Sequence, residues 1–387
     1  MKILMLTPYF YPHTGGTEKY VKDLSTELVK KGHEVTVITN NVPINKHAPA
    51  EETAKEGFKI IRLPAIDVAY LPITMSFNPK MCEGYDIVHC HAPAVSFVRS
   101  VVGKIKAPVM VTYHCDVLMF EKFMGIPIPK FLREAFNGLL AAYAKFWVKQ
   151  ADGVLATTES YAAGSPVLRE VPHYTAPIGV HLEGFDKMIE KLNISEKTKN
   201  KNQVVFVGRL AANKGVDYLI RAIPLILRKF PDLKVLICGE GEEKAHLEAL
   251  IKRFGVGDHV EFQGVLTFEQ LITNYANSIC FVLPSINSLE AFGIVQLEAM
   301  ACRTAVVASN IRGVNSVIDN GKAGYIAEPF DPKDLAEKIM LVLSDPAKAI
   351  EMGKYGRKMC EDIYNWDKIT DKIIGFYHEI IAKKNRS

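Results

Sequence analysis

At 387 residues the chain exceeds what one hydrophobic core normally supports, so two domains are expected. Apolar residues make up 48% and charged residues 23%, the usage of a globular α/β protein, and a net charge of +4 is too small at this length to argue for nucleic-acid binding. The seven cysteines are odd in number and form no C-x-x-C pair, which fits a reducing cytosol, and no uninterrupted apolar stretch approaches a membrane span.

The N-terminal apolar run is too short for a signal-peptide core and Pro8 ends it, so a cytoplasmic protein is expected. Lys2 to Leu6 reads as a strand. Tyr20, Val21, Leu24, Leu28 and Val29 then recur at helical spacing, and Gly32 closes that helix. Val35 to Thr39 completes a βαβ unit with Gly15-Gly16 at its loop–helix junction, where backbone without side chains can approach a phosphate. Val42 to Gly57 is polar and irregular, Phe58 to Leu63 is a strand, and residues 65–81 read as a long loop or short helix. Asp86 to His91 is a buried strand with two histidines near its carboxyl end. Ligands of open α/β sheets bind there, so a substrate-lining place is expected in preference to a metal pair. Pro108 to Tyr113 is the next strand and delivers His114 at its end.

From Lys130 to Gln150, Leu132, Phe136, Leu139, Leu140, Tyr143, Phe146 and Trp147 fall on one helical stripe flanked by Lys130, Arg133, Lys145 and Lys149. A core helix explains such a stripe first and a membrane-surface helix second. Gly153 to Thr157 is a strand, Thr158 starts a helix, and residues 170–200 read as an interdomain linker.

In the second half, Gln203 to Val207 is a strand ending in Gly208-Arg209, followed by Asn213-Lys214-Gly215 and an amphipathic helix. The Arg fork and the Lys point charge suit phosphate oxygens. Leu233 to Cys238 is a strand whose following Gly239-Glu240-Gly241-Glu242-Glu243 is too acidic for a dinucleotide pyrophosphate. Val260 to Gln263 is another strand, with Val265 in the loop after it. Ile279 to Leu283, a polar loop, a helix from Ile294 to Ala301 and a strand from Thr304 form one further unit. It carries Glu290 before the helix and Glu298 within it, eight positions apart. Unpaired N–H groups and the helix dipole favour an anionic, oxygen-rich ligand there, with the carboxylates accepting from its hydroxyls. Asp331-Pro332 starts a later helix, and the final segment from Trp366 to Ile381 is amphipathic.

These stretches resemble family 4 of the retaining, nucleotide-sugar-dependent glycosyltransferases, which have the GT-B fold. The E-x7-E register is Glu290-Ala291-Phe292-Gly293 followed by Leu297-Glu298-Ala299-Met300-Ala301. Gly15-Gly16-Thr17-Glu18 resembles the family's G-G-x-E loop over the donor diphosphate, Gly208-Arg209 with Lys214-Gly215 its G-R-x-x-x-x-K-G motif, and Pro177-Ile178-Gly179-Val180 its P-N-G-V turn. The resemblance implies two Rossmann-like domains facing across a cleft. Residues 1–178 would form an acceptor domain, completed by a C-terminal helix 366–387 that crosses back, and 179–365 a nucleotide-sugar domain. It implies that Arg209 and Lys214 neutralise the diphosphate and that His114 hydrogen-bonds the transferred sugar. Glu290 would reach the sugar hydroxyls and Glu298 the ribose. Val265, Ala291, Phe292, Gly293 and Ile294 would line the nucleotide-sugar site. The chain departs from the family at Arg303, where a helix-capping Gly is usual and a different turn is expected, and at Arg312, Asn315 and Ser316, where G-G-x-P-E is usual.

The implied activity is that of a hexosyltransferase-type enzyme, moving a sugar from a UDP- or GDP-linked donor to a glycan, lipid-linked or small-molecule acceptor. No Asp-x-Asp occurs in the chain, so no metal and no cofactor are expected. No nucleic-acid partner is expected either, and peripheral membrane contact through 130–150 is the second reading of that stripe. A nucleotide-sugar epimerase or sugar phosphorylase of the same fold, or a non-catalytic sugar-nucleotide-binding protein, stand as rivals.

Overall fold

The computed structural model describes residues 1–13, 15–42, 48–68, 71–93, 95–119, 122–123 and 126–386. They divide into two compact units, Met1–Ile178 with Trp366–Ser387, and Gly179–Asn365. Part of the irregular stretch expected over 42–57, namely 43–47, and residues 69–70 of the expected 65–81 loop lie outside the described residues.

The first unit is built on strands β1 (Lys2–Leu6), β2 (Glu34–Asn40), β3 (Glu51–Thr53) and β4 (Lys59–Leu63). A separate hairpin follows, β5 (Ala65–Val68) with β6 (Leu71–Thr74), and then β7 (Ile87–Ala92) and β8 (Val109–Tyr113). A two-residue pair, β9 (Lys122–Phe123) with β10 (Ile126–Pro127), precedes β11 (Gly153–Ala156) and β12 (Tyr174–Thr175). Helices α1 (Gly16–Lys30), α2 (Ser96–Val101), α3 (Lys130–Val148) and α4 (Glu159–Gly164) connect them, joined by the C-terminal helix Trp366–Lys384. The main sheet runs β12-β11-β8-β7-β1-β2-β4-β3, parallel except for β3 against β4. The chain therefore builds outward from β1 in one direction and from β7 in the other. This leaves a topological switch point between β1 and β7, where ligands of such sheets bind.

The second unit repeats that logic. Strands β13 (Asn200–Val207), β14 (Lys234–Cys238), β15 (Val260–Gly264), β16 (Ser278–Leu283), β17 (Ala305–Ser309) and β18 (Gly324–Ala327) pair in the order β15-β14-β13-β16-β17-β18, all parallel. This is the doubly wound order, with its switch point between β13 and β16. Helices α5 (Leu182–Lys191), α6 (Val216–Leu227), α7 (Lys244–Phe254), α8 (Phe268–Asn277), α9 (Ile294–Ala301), α10 (Pro332–Ser344) and α11 (Pro346–Asp362) complete the unit. Its core joins the strand residues Val204, Phe206, Ile237 and Val282 to Leu219 and Ile223 of α6 and Ile339 of α10, all buried. The near-continuous apolar strands read from the sequence have this cause, since both faces of a parallel sheet are covered.

The structure corrects four local expectations. The boundary between the units, at Ile178/Gly179, falls within the expected linker of 170–200, but that stretch is ordered and holds β12, α5 and a short 3-10 turn. Residues 51–53 are a strand, pairing antiparallel with β4. Residues 65–68 and 71–74 pair as antiparallel strands, and Asn78 caps a 3-10 turn at Pro79–Cys82. Arg303 does not use a different turn: it holds φ +54°, the left-handed conformation of a helix-capping Gly, so the turn is kept and the strain accepted.

The C-terminal helix buries Trp366, Ile369, Ile373, Tyr377 and Ile380 and packs on α1 within the first unit. Helix α3 is not a core helix on its expected stripe. Phe131, Leu132, Phe136, Leu139, Tyr143 and Phe146 are exposed, while Ala144 and Val148 on another face are buried.

Candidate active site

In the second unit the loops after β13 and β16 meet at the switch point because Gly215 lets them. Its φ is +64°, and a Cβ there would lie 2.1 Å from the Pro284 carbonyl oxygen. Ile286 N–H donates to the Asn213 carbonyl at 3.0 Å beside it. This contact brings together two residues 76 positions apart: the Lys214 ammonium is ion-paired with the Glu290 carboxylate. The Ser285 hydroxyl donates to the same Glu290 oxygen at 3.2 Å. Glu290 is 9% exposed, so this is a largely desolvated pair in which each charge holds the other in place. Arg209, on the same β13 loop, is exposed and has no ion-pair partner among the described residues.

The loop then enters α9 through Gly293, whose φ of +76° turns the chain into the helix. The buried Gln296 amide donates to the Phe292 carbonyl at 2.8 Å and the Val314 carbonyl at 3.3 Å, which fixes Ala291, Phe292 and Gly293 from behind. Ala291 and Phe292 are buried and Ile294 is half-buried. Glu298, in the second turn of α9, is buried and accepts from the Tyr275 hydroxyl at 3.4 Å. Val265 lies after β15 with its side chain 80% exposed. Of the departing loop, Arg312 is exposed, Asn315 donates to Asn310 Oδ1 at 2.9 Å and Ser316 Oγ to the Gly313 carbonyl at 2.8 Å.

In the first unit the loop after β1 leads to Gly15, the N-cap of α1, and Gly16, its first residue. Glu18 folds back beneath this junction: a Cβ on Gly15 would lie 2.4 Å from its Oε2. Burial raises the Glu18 carboxyl to about 7, and His13 Nε2 stands 3.7 Å from its Oε1. Arg62 of β4, itself buried, donates to the Tyr11 carbonyl at 2.8 Å and the Pro49 carbonyl at 2.9 Å, and so anchors the same loop.

His114 follows β8 and is 7% exposed, its ring edge-on to Tyr20 at 4.8 Å. His114 Nε2 lies 3.1 Å from His91 Nδ1, and His91 Nε2 lies 3.5 Å from Met5 Sδ. Burial depresses all three histidines of the cluster, His89 and His114 to about 3 and His91 well below its ordinary range, so they are neutral near pH 7. A thioether only accepts, so the neutral His91 carries its proton on Nε2 and its bare Nδ1 accepts from His114 Nε2–H. His114 is thereby left with an unprotonated Nδ1. His89 does not line a site: it is closed off by the Tyr377 and Thr112 hydroxyls, each at 2.6 Å.

The structure thus gathers Lys214, Glu290, Ala291, Phe292, Gly293, Ile294 and Glu298 on two touching loops and one helix. Arg209 stands on the first of those loops and Val265 two strands away. His114, Gly15 and Gly16 belong to the other unit. Sequence reasoning missed Ser285, Tyr275, Gln296, Met5 and Arg62, whose residue types carry no signal until the fold supplies their partners.

A Glycosyltransferase Family 4 model matches residues 14–164, and a Glycosyl transferases group 1 model matches residues 187–359. An uncharacterized glycosyltransferase of Methanocaldococcus jannaschii is 28% identical, over 97% of this chain and 98% of its own length. The phosphatidyl-myo-inositol mannosyltransferase of Mycolicibacterium smegmatis is 27% identical, over 98% of this chain and 94% of its own. Among solved structures, sucrose-phosphate synthase from Thermosynechococcus elongatus superposes with a TM-score of 0.78, covering 99% of each chain at 24% identity. Fold, matched domains and relatives together define the class. The chain is an enzyme, a glycosyltransferase with the GT-B architecture.

Proposed function

We infer that this glycosyltransferase moves a hexosyl group from a UDP- or GDP-linked sugar to a glycan, lipid-linked or small-molecule acceptor with retention of anomeric configuration. The observation that carries this reading is the Lys214–Glu290–Ser285 cluster at the β13/β16 switch point, beside Arg209 and the start of α9. Arg209 and Lys214 take the donor diphosphate, as the N–H groups at the start of α9 do, supplying the charge that a bridging metal supplies elsewhere. The acceptor hydroxyl attacks the anomeric carbon on the face the diphosphate leaves. The bond from that carbon to the diphosphate oxygen breaks, and the departing oxygen takes the acceptor proton. Glu290 accepts from the sugar hydroxyls, Glu298 from the ribose, and the backbone around Val265 meets the base. Gly15 and Gly16 offer bare backbone to the diphosphate. His114, with Nδ1 unprotonated, accepts from a hydroxyl of the transferred sugar.

A thermal-shift panel of nucleotide diphosphate sugars, run with and without EDTA, names the donor and tests metal independence. The anomer of the product, read by proton NMR, tests retention. Stabilisation only in the presence of a divalent cation, or an inverted product, overturns the corresponding part.

The exposed stripe of α3 supports a second element, peripheral attachment to the cytoplasmic face of a membrane. Phe131, Leu139 and Phe146 are each at least half exposed, with Lys130 alongside. Among the described residues no helix is long and apolar enough to cross a membrane. One relative is named for a phosphatidylinositol acceptor. Flotation with anionic vesicles tests this: wild-type protein left unbound at low salt overturns it, and loss of flotation in Leu139→Asp supports it.

A further inference from the structure

Beside α3, reaching from its buried face to Tyr143 at the edge of its exposed stripe, the first unit carries a half-open cavity of about 670 Å³, within the range of small-molecule sites. Phe77 and Phe97, edge-to-face at 5.2 Å, form one wall, Leu118 another, and Leu140, Ala141 and Ala144 of α3 the third. The polar atoms at its floor are already occupied. The Asp116 carboxylate accepts from the Tyr161 hydroxyl at 2.8 Å, the Ser165 hydroxyl at 2.7 Å and the Tyr113 hydroxyl at 3.1 Å. With its one carboxylate saturated by three hydroxyls, the chamber offers mainly apolar contact, beside the small uncharged polar groups of Thr74, Ser96, Ser100 and Asn137. Its rim is different: Arg99 and Lys104 line it, both exposed, with no carboxylate in ion-pair range among the described residues. The floor residues Tyr113 and Asp116 flank His114 in the chain, so the chamber opens off the carboxyl end of β8, next to the histidine read above as touching the sugar.

We propose that this cavity holds the apolar chain of a single-chain anionic amphiphile, whose charged head is met by Arg99 and Lys104, and that this amphiphile is the acceptor. The charge at the rim selects the head and the apolar walls select the tail. The outer face of α3 then has a separate task, resting on the membrane from which such a molecule is drawn. The proposal rests on the glycosyltransferase reading for the word acceptor, but the binding it asserts does not.

Calorimetry with hexadecyl phosphate below its critical micelle concentration tests it, with dodecyl maltoside and inorganic phosphate as comparison ligands. Hexadecyl phosphate should bind one per chain, with inorganic phosphate at least 100-fold weaker. Ala141→Phe, which fills the interior, should weaken hexadecyl phosphate at least 10-fold while leaving vesicle flotation unchanged. Gly138→Phe is the second variant should that one misfold, because a Cβ at Gly138 meets open space. Arg99→Gln with Lys104→Gln should weaken hexadecyl phosphate about 5- to 10-fold and dodecyl maltoside less than 2-fold, as loss of charge-assisted contacts would. Absence of saturable binding, equal affinity in the filled variants, or a charge-blind ranking of the ligands overturns the proposal. Titration of the donor into the same samples separates the two readings: lost amphiphile binding with intact donor binding removes this inference alone, and the reverse removes the donor assignment alone.

Discussion

The two units place their candidate residues at equivalent points of equivalent sheets and make opposite electrostatic environments there. At the β1/β7 switch point and the neighbouring end of β8 stand His89, His91 and His114, buried and pressed against Tyr20, Met5 and Tyr377. At the β13/β16 switch point stand the ion pair of Lys214 with the buried Glu290 and, beside it, the exposed Arg209. One topology supports both because it fixes only where loops converge; the side chains decide whether water is expelled or charge is retained. The first environment suits orientation by neutral hydrogen bonds and the second the stabilisation of a leaving diphosphate.

The sharpest test of this contrast is acid. A histidine held near 3 in the folded chain but at its ordinary value when unfolded binds fewer protons in the native state between those values. Stability is therefore lost as pH falls through 6.5: His89 and His114 each remove about 2 kcal/mol between pH 7 and pH 5, and His91 acts in the same direction. Glu18 acts with the opposite sign: its raised carboxyl takes a proton in the folded state first, returning about 2 kcal/mol over the same interval. The net loss expected is about 2 kcal/mol or more. It can be assigned to the first unit, because both tryptophans of the chain, Trp147 and Trp366, lie there. Urea unfolding followed by tryptophan emission at pH 7 and pH 5 reads it; a flat response would mean the histidines are solvated. Two-bond proton–nitrogen spectra of the same protein should show His114 protonated on Nε2, and a proton on Nδ1 would reverse the chain of donors through His91.

On the charged side, Arg209→Ala and Lys214→Ala should each raise the barrier to transfer by about 2–4 kcal/mol, a loss of roughly 30- to 1000-fold in turnover. Lys214→Ala should also release Glu290, leaving a largely buried carboxylate with only Ser285. It should therefore cost some stability where Arg209→Ala, at an exposed site, costs none. Steady-state rates beside thermal melts of both variants separate the effects, and unchanged turnover in a folded double variant ends the diphosphate assignment.

How much of this could be read from the sequence differs between the same two regions. The alternation of apolar runs and 3.6-residue patterns marked most strands of both sheets, and Arg209 and Lys214 between their glycines marked a loop suited to phosphate oxygens. The ion pair of Lys214 and Glu290 was not legible, because both were assigned to the site separately and only the contact at Gly215 makes them partners. His91 was read with His89 of its own strand and His114 by itself, since a pairing across adjacent strands depends on β7–β8 register. Helix α3 misled for a physical reason: periodicity reports that a face is apolar, not what covers it. Short edge pieces such as β3, and the hairpin of β5 and β6 with Pro72 inside it, lack the length at which alternation becomes a signal.

The division of labour between the two carboxylates sharpens the contrast within the second unit. Glu298 is held by α9 and Tyr275, and as the ribose acceptor it should matter to every ligand that carries the ribose. Glu298→Gln should weaken nucleoside diphosphate and donor alike by about 1.5–3 kcal/mol for a charge-assisted bond lost. Glu290→Gln should lower turnover yet leave nucleoside diphosphate binding intact or slightly tighter, because Lys214 is then freed from its carboxylate. Calorimetric titration of both variants with both ligands decides it, and equal losses of diphosphate affinity would merge the two roles into one.

The smallest expected effect concerns how each site helix ends. In the first unit α1 closes on Gly32 at φ +82°, a conformation open to glycine without penalty. In the second, α9 closes on Arg303 at φ +54°, with Arg303 N–H donating to the Met300 carbonyl at 2.9 Å and Thr304 N–H to the Ala299 carbonyl at 3.0 Å. The hydrogen bonds of a left-handed cap are kept, while a side chain is carried where L residues are strained by about 1–2 kcal/mol. Arg303→Gly removes that strain and adds about 0.4–1 kcal/mol of chain entropy to the unfolded state, so the net gain should be about 0.5–1 kcal/mol. The substitution touches neither Glu290 nor Glu298, so turnover should not change. Gly32→Arg is the mirror experiment and should destabilise the first unit by a similar amount. Calorimetric melting reads both, while tryptophan emission should register the change at Gly32 and miss the one at Arg303. A loss of stability in Arg303→Gly would mean that contacts of the guanidinium outweigh the backbone strain, and that the second unit has recruited a charged residue even for capping.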